Sequence, residues 1–397
     1  MVGMLRTLVL LLFCTIAFGA QPPLLVIALD GFRWDFAERE QAHNILELKR
    51  DGASVETLVP SFPSTTFPNF HSMATGMEPS RHGLVAMMFR DREKGRSFSY
   101  MKNSSEGEWY GGTPFWLLAQ AAGIKTATYF WPGTDAGIQG KSPTYFKKYD
   151  GRVPNEARIA QVLEWFLMPE AERPGLVVVY FSDVDSAGHK TGPDSPETKA
   201  AIQRVDSAVG QLVKGVRKIR KDANILVVSD HGQIAVASRI DLSGRADFKG
   251  CLAANEAPMT MLYCDDPERV RAELLKKAPE VEVWRRAETP EYLQYRDNPR
   301  IGDLIIVPKT PSIVFVVPPD DAEAKPVPDL KGMHGYDPRR YRAMSGILIG
   351  AGPAFKKGVV APSAKTVDVF ALVCRLMGLS MPPGVDAEIR RVAPLLK

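Results

Sequence analysis

Cysteine is scarce. The 397-residue sequence holds four, none in C-x-x-C spacing, which removes cysteine-ligated metal or dithiol chemistry as the basis for function. Cys14 lies in the N-terminal apolar stretch, leaving Cys251, Cys264 and Cys374. The first two can pair in an oxidising compartment, and the third is then free. Charge of one sign is also lacking: 50 Lys and Arg against 46 Asp and Glu leave a formal +4. Acids and bases are interspersed, so neither a nucleic-acid nor a membrane footprint is present. No internal repeat or low-complexity tract breaks the chain. After residue 20, no apolar run is long enough to span a bilayer.

The one long apolar run is at the start. In "MVGMLRTLVLLLFCTIAFGA", Arg6 precedes about a dozen apolar residues that end in small ones. This is the pattern of a secretory signal peptide over 1–20, cleaved near Gly19 or Ala20, and it predicts a periplasmic or secreted product. An uncleaved anchor is the alternative, and Phe13 before Cys14 fits poorly with a lipoprotein signal. The remaining 21–397, about 375 residues, suffice for one large domain or two smaller ones.

Three short runs of branched apolar residues end abruptly in acids: "LLVIALDG" (Leu24–Gly31), "GLVVVYFSDVD" (Gly175–Asp185) and "NILVVSDHG" (Asn224–Gly232). Such runs predict strands buried on both faces of a parallel sheet. Helical segments alternate with them. Ser195–Ile219 opens with Ser-Pro-Glu, a cap followed by proline, and Lys365–Leu379 predicts a C-terminal helix. The fold class is therefore α/β, with both faces of a mostly parallel sheet covered by helices. The character changes after Arg239. "PMTMLYCDD" and "SIVFVVPP" read as strands around a helix in "PERVRAELLKKA", and 247–329 reads as a small α+β insertion.

Ligands of open α/β sheets bind beyond the carboxyl ends of the strands. The acids there are Asp30, Asp183 with Asp185, and Asp230. His189 and His231 are close by, and His334 follows the insertion in "GMHGYD". Three of the six histidines thus lie in loops beside acids and glycines. Carboxylates with imidazoles suit a divalent transition metal, zinc above all, and the supply is enough for two ions. Two metals can clamp the attacking and leaving oxygens of phosphoryl transfer. Asp-Gly after a strand is also an ordinary turn, so each pair taken alone has a structural reading. His43, His71 and His82 read as solvated, packed and turn residues, with no site role.

"PSFPSTTFPNF" crowds Ser61, Ser64, Thr65 and Thr66 between prolines and phenylalanines. The following "FPNFHSMATG" predicts a helix closed by Gly76, which places Thr66 at or beside its N-cap. Free N–H groups and the helix dipole favour an anionic oxygen there. Ordinary capping by Ser64, Thr65 or Thr66 is the alternative, worth ~1 kcal/mol.

The motif "PSTTFPN" resembles the nucleophile motif of the nucleotide pyrophosphatase/phosphodiesterase family, within the alkaline phosphatase superfamily. The resemblance runs almost the whole chain after residue 20, through "ALDGFRWD", "TGMEPSRHGLV", "YFWPGTD", "TYFKKYDG", "YFSDVDSAGHKTGPDS", "VVSDHG", "MHGYDP" and "GILIGAGPAFKKG". It implies an alkaline-phosphatase-like sheet, two Zn2+ ions and a covalent intermediate on Thr66. It also implies one zinc held by Asp30, Thr66, Asp230 and His231, and another by Asp185, His189 and His334. The D-x-x-G-H match selects Asp185 over Asp183. Phe67, Tyr149 and Tyr180 match positions that hold a nucleobase, each with core packing as its alternative.

One position departs from the family. Where an asparagine usually donates to a phosphate oxygen, "HGLVAMMFRD" places Met87, which cannot donate. Met87, Met88 and Phe89 would make that wall apolar. The resemblance thus implies hydrolysis of nucleotide-type phosphodiester or pyrophosphate bonds in a small-molecule substrate. The alternatives are a phospholipid-headgroup (choline-type) phosphodiesterase, a phosphomonoesterase, or a metal-holding binding protein with little turnover.

Overall fold

The three acid-ended runs form the middle of one large sheet. The computed structural model describes residues 21–397; the expected signal peptide lies outside them. In chain order the sheet contains β1 (Leu24–Leu29), β2 (Ala53–Val55), β3 (Thr126–Tyr129) and β4 (Tyr145–Lys147). It continues with β5 (Leu176–Phe181), β6 (Asn224–Val228), β7 (Leu348–Ala351) and β8 (Val359–Ala361). Across the sheet the order is β8-β2-β7-β6-β1-β5-β3-β4. Neighbours are parallel except at β7, which runs against both β2 and β6. β1, β5 and β6 are buried along their whole length, as continuous rather than alternating apolar runs require.

The helices that matter to the site are α1 (Thr66–Thr75), α2 (Asp183–Thr191), α3 (Pro196–Ile219) and α4 (Asp368–Met377). α3 packs on α2, and α4 packs on α1. Ser195 caps α3 by accepting from Thr198 N–H at 3.2 Å, with Pro196 in the first turn. α4 starts later than the predicted Lys365, because Ala364–Lys365 instead pairs with Leu58–Val59 as a short strand.

Register brings the acids together. Leu24 of β1 lies opposite both Leu176 of β5 and Asn224 of β6, so the three strands end level. Asp30, the start of α2 and Asp230 therefore leave the sheet side by side.

Between β6 and β7 the chain builds a separate antiparallel sheet of Cys251–Asn255, Thr260–Cys264, Leu304–Pro308 and Val281–Arg285, in that order. It carries a helix, Pro267–Lys277, and its own apolar core around Val270, Leu274, Leu304 and Ile306. Cys251 and Cys264 face each other in register and are disulfide-bonded, while Cys374 is buried and free. This sheet is locked to a hairpin of the main body, Met88–Asp91 with Arg96–Ser99. Buried Arg90 donates to Asp321 at 2.9 and 3.0 Å and to the Ala253 carbonyl at 3.0 Å.

A second lock sits on the helical side. The helix His43–Asp51 has no capping side chain of its own. Buried Asp206 of α3 supplies one, accepting from the N–H groups of Asn44 and Ile45 at 3.1 and 2.8 Å. Asp206→Ala leaves both donors unpaired and is expected to cost about 3 kcal/mol, read as a lower urea midpoint with an unchanged m-value.

Candidate active site

Each element delivers its side chain for a local reason. Asp30 and Asp230 follow the level ends of β1 and β6. Asp185 and His189 are four residues apart on α2, hence on one face. Gly31 has φ +67°, and a Cβ there would lie 2.9 Å from Asp185 Cα, so only glycine lets α2 close on β1. His334 arrives from beyond the insertion, because Gly332–Met333 pairs antiparallel with Ile234–Ala235 just after His231. The His231 and His334 rings then stack at 3.6 Å between centroids.

Two groups of donors result. In the first, His231 Nε2 lies 3.0 Å from Asp230 Oδ2, 3.5 Å from Asp30 Oδ1 and 3.2 Å from Thr66 Oγ1. In the second, Asp185 Oδ1 lies 3.4 Å from His189 Nε2 and 3.6 Å from His334 Nε2. The two imidazole nitrogens are 3.2 Å apart. Each Nδ1 faces a carbonyl: His189 faces Gly332 O at 2.9 Å, His231 Gly232 O at 3.1 Å, and His334 Ser64 O at 3.0 Å. For His189 and His334 those contacts put the ring proton on Nδ1, so both Nε2 atoms point a lone pair into the site, while His231 Nε2 faces the Asp230 carboxylate. Facing lone pairs at this distance repel unless a cation lies between them. Asp30 Oδ1 and Asp230 Oδ2 are buried without any hydrogen-bond donor. Asp30, Asp230 and His231 converge closely enough to hold a metal ion, as do Asp185, His231 and His334, with His189 beside the second set; mixed imidazole and carboxylate donors of this kind fit a transition-metal ion.

Electrostatics agree. Burial, and then repulsion from Asp230 and Asp185, holds the Asp30 carboxyl well above the usual range. Burial raises Asp230 as well. Burial lowers His231, but Asp230 and Asp185 outweigh it and the net shift is upward. Burial, with His231 and His189 beside it, holds His334 well below an ordinary histidine. Carboxylates so crowded need added positive charge to ionise together.

The four hydroxyls have four different fates. Ser61 Oγ is 3.4 Å from Thr366 Oγ1. Ser64 Oγ donates to Tyr336 O at 2.8 Å and accepts from Gly335 N–H at 3.0 Å, clamping the segment that carries His334. Thr65 is the N-cap residue of α1, yet its side chain caps nothing and its buried Oγ1 has no partner. Thr66 is the first helical residue, and its hydroxyl alone reaches the donor cluster. The capping alternative finds no side-chain bond to carry it.

The family profile described as "Type I phosphodiesterase / nucleotide pyrophosphatase" matches residues 24–337. The chain belongs to that family. Among curated relatives, human ectonucleotide pyrophosphatase/phosphodiesterase family member 1 is 32% identical over 91% of this chain and 40% of its own length. Venom phosphodiesterase CdcPDE of Crotalus durissus collilineatus is 30% identical over 91% of this chain and 45% of its own. The chain thus spans less than half the length of these relatives. Among solved structures, murine ectonucleotide pyrophosphatase/phosphodiesterase 5 superposes with TM-score 0.87 and 28% identity, over 94% of this chain and all of that one. Its inactive threonine-to-alanine variant, in complex with AMP, matches with TM-score 0.87 and 27% identity. The sheet is accordingly of the alkaline-phosphatase-like kind.

The other expected residues have these surroundings. Asp183 is turned away, accepting from Asn155 Nδ2 at 3.1 Å. Phe67 is half-buried beside Thr66, 6.0 Å from the Tyr100 ring. Tyr149 is exposed, 5.1 Å from Phe130. The stacking role expected of Tyr180 finds no open face. Its ring is 6% exposed and packs on Phe70, and its hydroxyl donates to Asp30 Oδ2. Tyr180 therefore orients a carboxylate. The apolar wall is also narrower than Met87–Phe89: Phe89 turns into the core against Phe98 and Trp109, whereas Met87 Sδ lies 3.3 Å from Phe67 N.

Two supporting residues escape sequence reasoning. Gln233 Nε2 donates to Asp185 O at 3.0 Å and to Asp185 Oδ1; its only signal is its place directly after Asp-His-Gly. Glu256 accepts from the N–H groups of Met87 and Met88 at 2.7 and 2.6 Å, a pairing across about 170 residues that leaves no local trace. Burial pushes its carboxyl up to about 8 against those two bonds. Of the remaining histidines, His43 is exposed. His71 Nε2 meets Gly111 O at 2.7 Å, and His82 Nε2 meets Ser72 Oγ at 3.1 Å.

Two outcomes are expected. Tyr180→Phe removes the donor on Asp30 and should weaken metal retention about 10- to 100-fold, measured by chelator competition. Burial lowers the His71 pKa to about 4 from 6.5. The folded state therefore refuses a proton that the unfolded chain takes up below pH 6.5. Stability is fully present above that pH and falls by up to about 3 kcal/mol as pH drops to 4. His71→Gln should flatten that part of the stability–pH curve.

Proposed function

We propose that this chain is a secreted or periplasmic two-zinc phosphodiesterase/pyrophosphatase, cleaving nucleotide-type phosphodiester or pyrophosphate bonds through a covalent intermediate on Thr66. The observation that carries this reading is the convergence of Thr66 Oγ1, at the start of α1, with the buried Asp30, Asp230 and His231 donors. AMP in the murine relative's structure supports a nucleotide-like substrate. The catalytic body is 21–397, with 247–329 as its insertion. The Cys251–Cys264 disulfide supports an oxidising compartment.

Asp30, Thr66, Asp230 and His231 would hold one zinc, and Asp185, His189 and His334 the other. Bound there, the ions supply Lewis-acid neutralisation of charge and lower the pKa of a ligating hydroxyl. The protein does the rest. The start of α1 aims Thr66 Oγ at the first donor group, 3.2 Å from His231 Nε2, and a hydroxyl so ligated would give up its proton to solvent. The first N–H groups of α1 and the positive end of its dipole face the phosphorus-bound oxygens. Thr66 Oγ forms a bond to phosphorus as the bond to the leaving oxygen breaks. Water then releases the phosphoryl group and restores the hydroxyl. Phe67 and Tyr149 flank the base, where stacking contributes ~1–3 kcal/mol.

A second reading, a choline-type headgroup diesterase, is favoured by the Met87 thioether and the exposed Tyr100 near Phe67. The zinc-loaded chain is to be assayed on a nitrophenyl nucleotide diester, nitrophenyl phosphate and nitrophenyl phosphocholine. Turnover of the nucleotide diester is expected, reduced at least about 10³-fold in Thr66→Ala with metal content unchanged. Turnover of only the choline ester would transfer the assignment to headgroups. Silence on all three with metal bound would remove the enzyme reading.

A further inference from the structure

Met87 occupies a backbone donor at the start of α1. Its sulfur lies 3.3 Å from Phe67 N, one of the N–H groups left free at the start of α1. A thioether is a weak acceptor on a side chain with three rotatable bonds, so it can yield to a phosphate oxygen. The peptide that carries it cannot move so freely. Glu256 accepts from Met87 N–H at 2.7 Å and Met88 N–H at 2.6 Å, one with each carboxyl oxygen. Tyr100 N–H donates to Met87 O at 3.0 Å from the other side.

Glu256 comes from the insertion. It sits in the turn between Cys251–Asn255 and Thr260–Cys264, a turn that holds Ala257 at φ +71°. Two residues on, Pro258 crowds Gly335: a Cβ at that glycine, whose φ is +98°, would lie 2.4 Å from Pro258 Cγ. One hairpin tip therefore touches both the segment after His334 and the peptide behind Met87. Arg90, bonded to Asp321 and Ala253 O, fixes that tip against the main body.

We propose that Glu256 is a positioning residue for the pocket that receives the non-bridging phosphate oxygens, and that Met87 is a displaceable acceptor that caps Phe67 N–H until substrate arrives. This rests on the phosphodiesterase reading above. Glu256 holds the peptide still while the Met87 side chain swings aside. The pocket wall is thus set by the insertion, and the nucleophile and metal donors by the main sheet.

The test uses the zinc-loaded chain with 13C-methyl methionine, the Met87 signal being assigned by its loss in Met87→Leu. Inorganic phosphate should shift the Met87 methyl more than the other methionines. Glu256→Gln, which is isosteric but offers one acceptor oxygen in place of two, should displace that signal before phosphate is added. On the nitrophenyl diester, Glu256→Gln should lower kcat about tenfold with metal content unchanged. Met87→Leu, whose side chain accepts no hydrogen bond from Phe67 N–H, should lower KM about two- to fivefold. A Met87 signal indifferent to saturating phosphate, or identical in wild type and Glu256→Gln, overturns the proposal. A chain inactive on every ester would instead remove the phosphodiesterase reading, and the comparison of Met87 signals without phosphate would still decide whether Glu256 positions it.

Discussion

Buried carboxylates and imidazole lone pairs that face one another without donors between them are the constraint on which this structure turns. Asp30 Oδ1 and Asp230 Oδ2 are buried and unpaired, and His189 and His334 aim lone pairs at each other across 3.2 Å. Such an arrangement raises the energy of the folded chain unless positive charge fills it. The protein stabilises it from behind. Tyr180 donates to Asp30, Gly31 N–H to Asp230, Gln233 to Asp185, and backbone carbonyls set the tautomers of His189 and His334. These bonds hold the donors in place before any ion arrives, so little reorganisation is left for binding.

The sheet makes that preorganisation possible. Three parallel strands of matched register end level, so acids just beyond them are neighbours without any long loop to order. The remaining donor, His334, must return from beyond a separate sheet. A two-residue ladder to Ile234–Ala235 and the Ser64 clamp bring it back. Ser64 thus links the Thr66 stretch to the far donor. The crowding of hydroxyls beside Thr66 reflects that link more than it reflects chemistry.

What could be read from the sequence was whatever local pattern controls. Continuous apolar runs ending in acids gave away the central strands, and the Ser-Pro-Glu start gave away α3. The donor positions were legible for the same reason, because each lies within a few residues of a strand end or helix turn. Cys251–Asn255, Val281–Arg285 and Leu304–Pro308 are not legible as strands in the sequence: each is five residues long, and periodicity over so short a window is weak. For Tyr180 the sequence leaves stacking and core packing both open, because an aromatic residue at a strand end suits either. Only the position of Asp30 reveals that its hydroxyl is already engaged.

The same division separates the chemistry from its selectivity. Thr66 and the donor side chains sit on the main sheet and α1–α2, where burial of Asp30, Asp230, His231 and His334 leaves those side chains little choice of rotamer. The wall opposite is built from the Met88–Ser99 hairpin and the tip of the insertion, held by hydrogen bonds between elements about 170 residues apart in sequence. Change in that wall need not disturb the donors. Met87 illustrates this: its thioether rests on the start of α1 while Thr66 Oγ1 keeps its place 3.2 Å from His231. A scaffold arranged this way can keep one donor centre and present it to different ligands by altering parts that supply none of its donors.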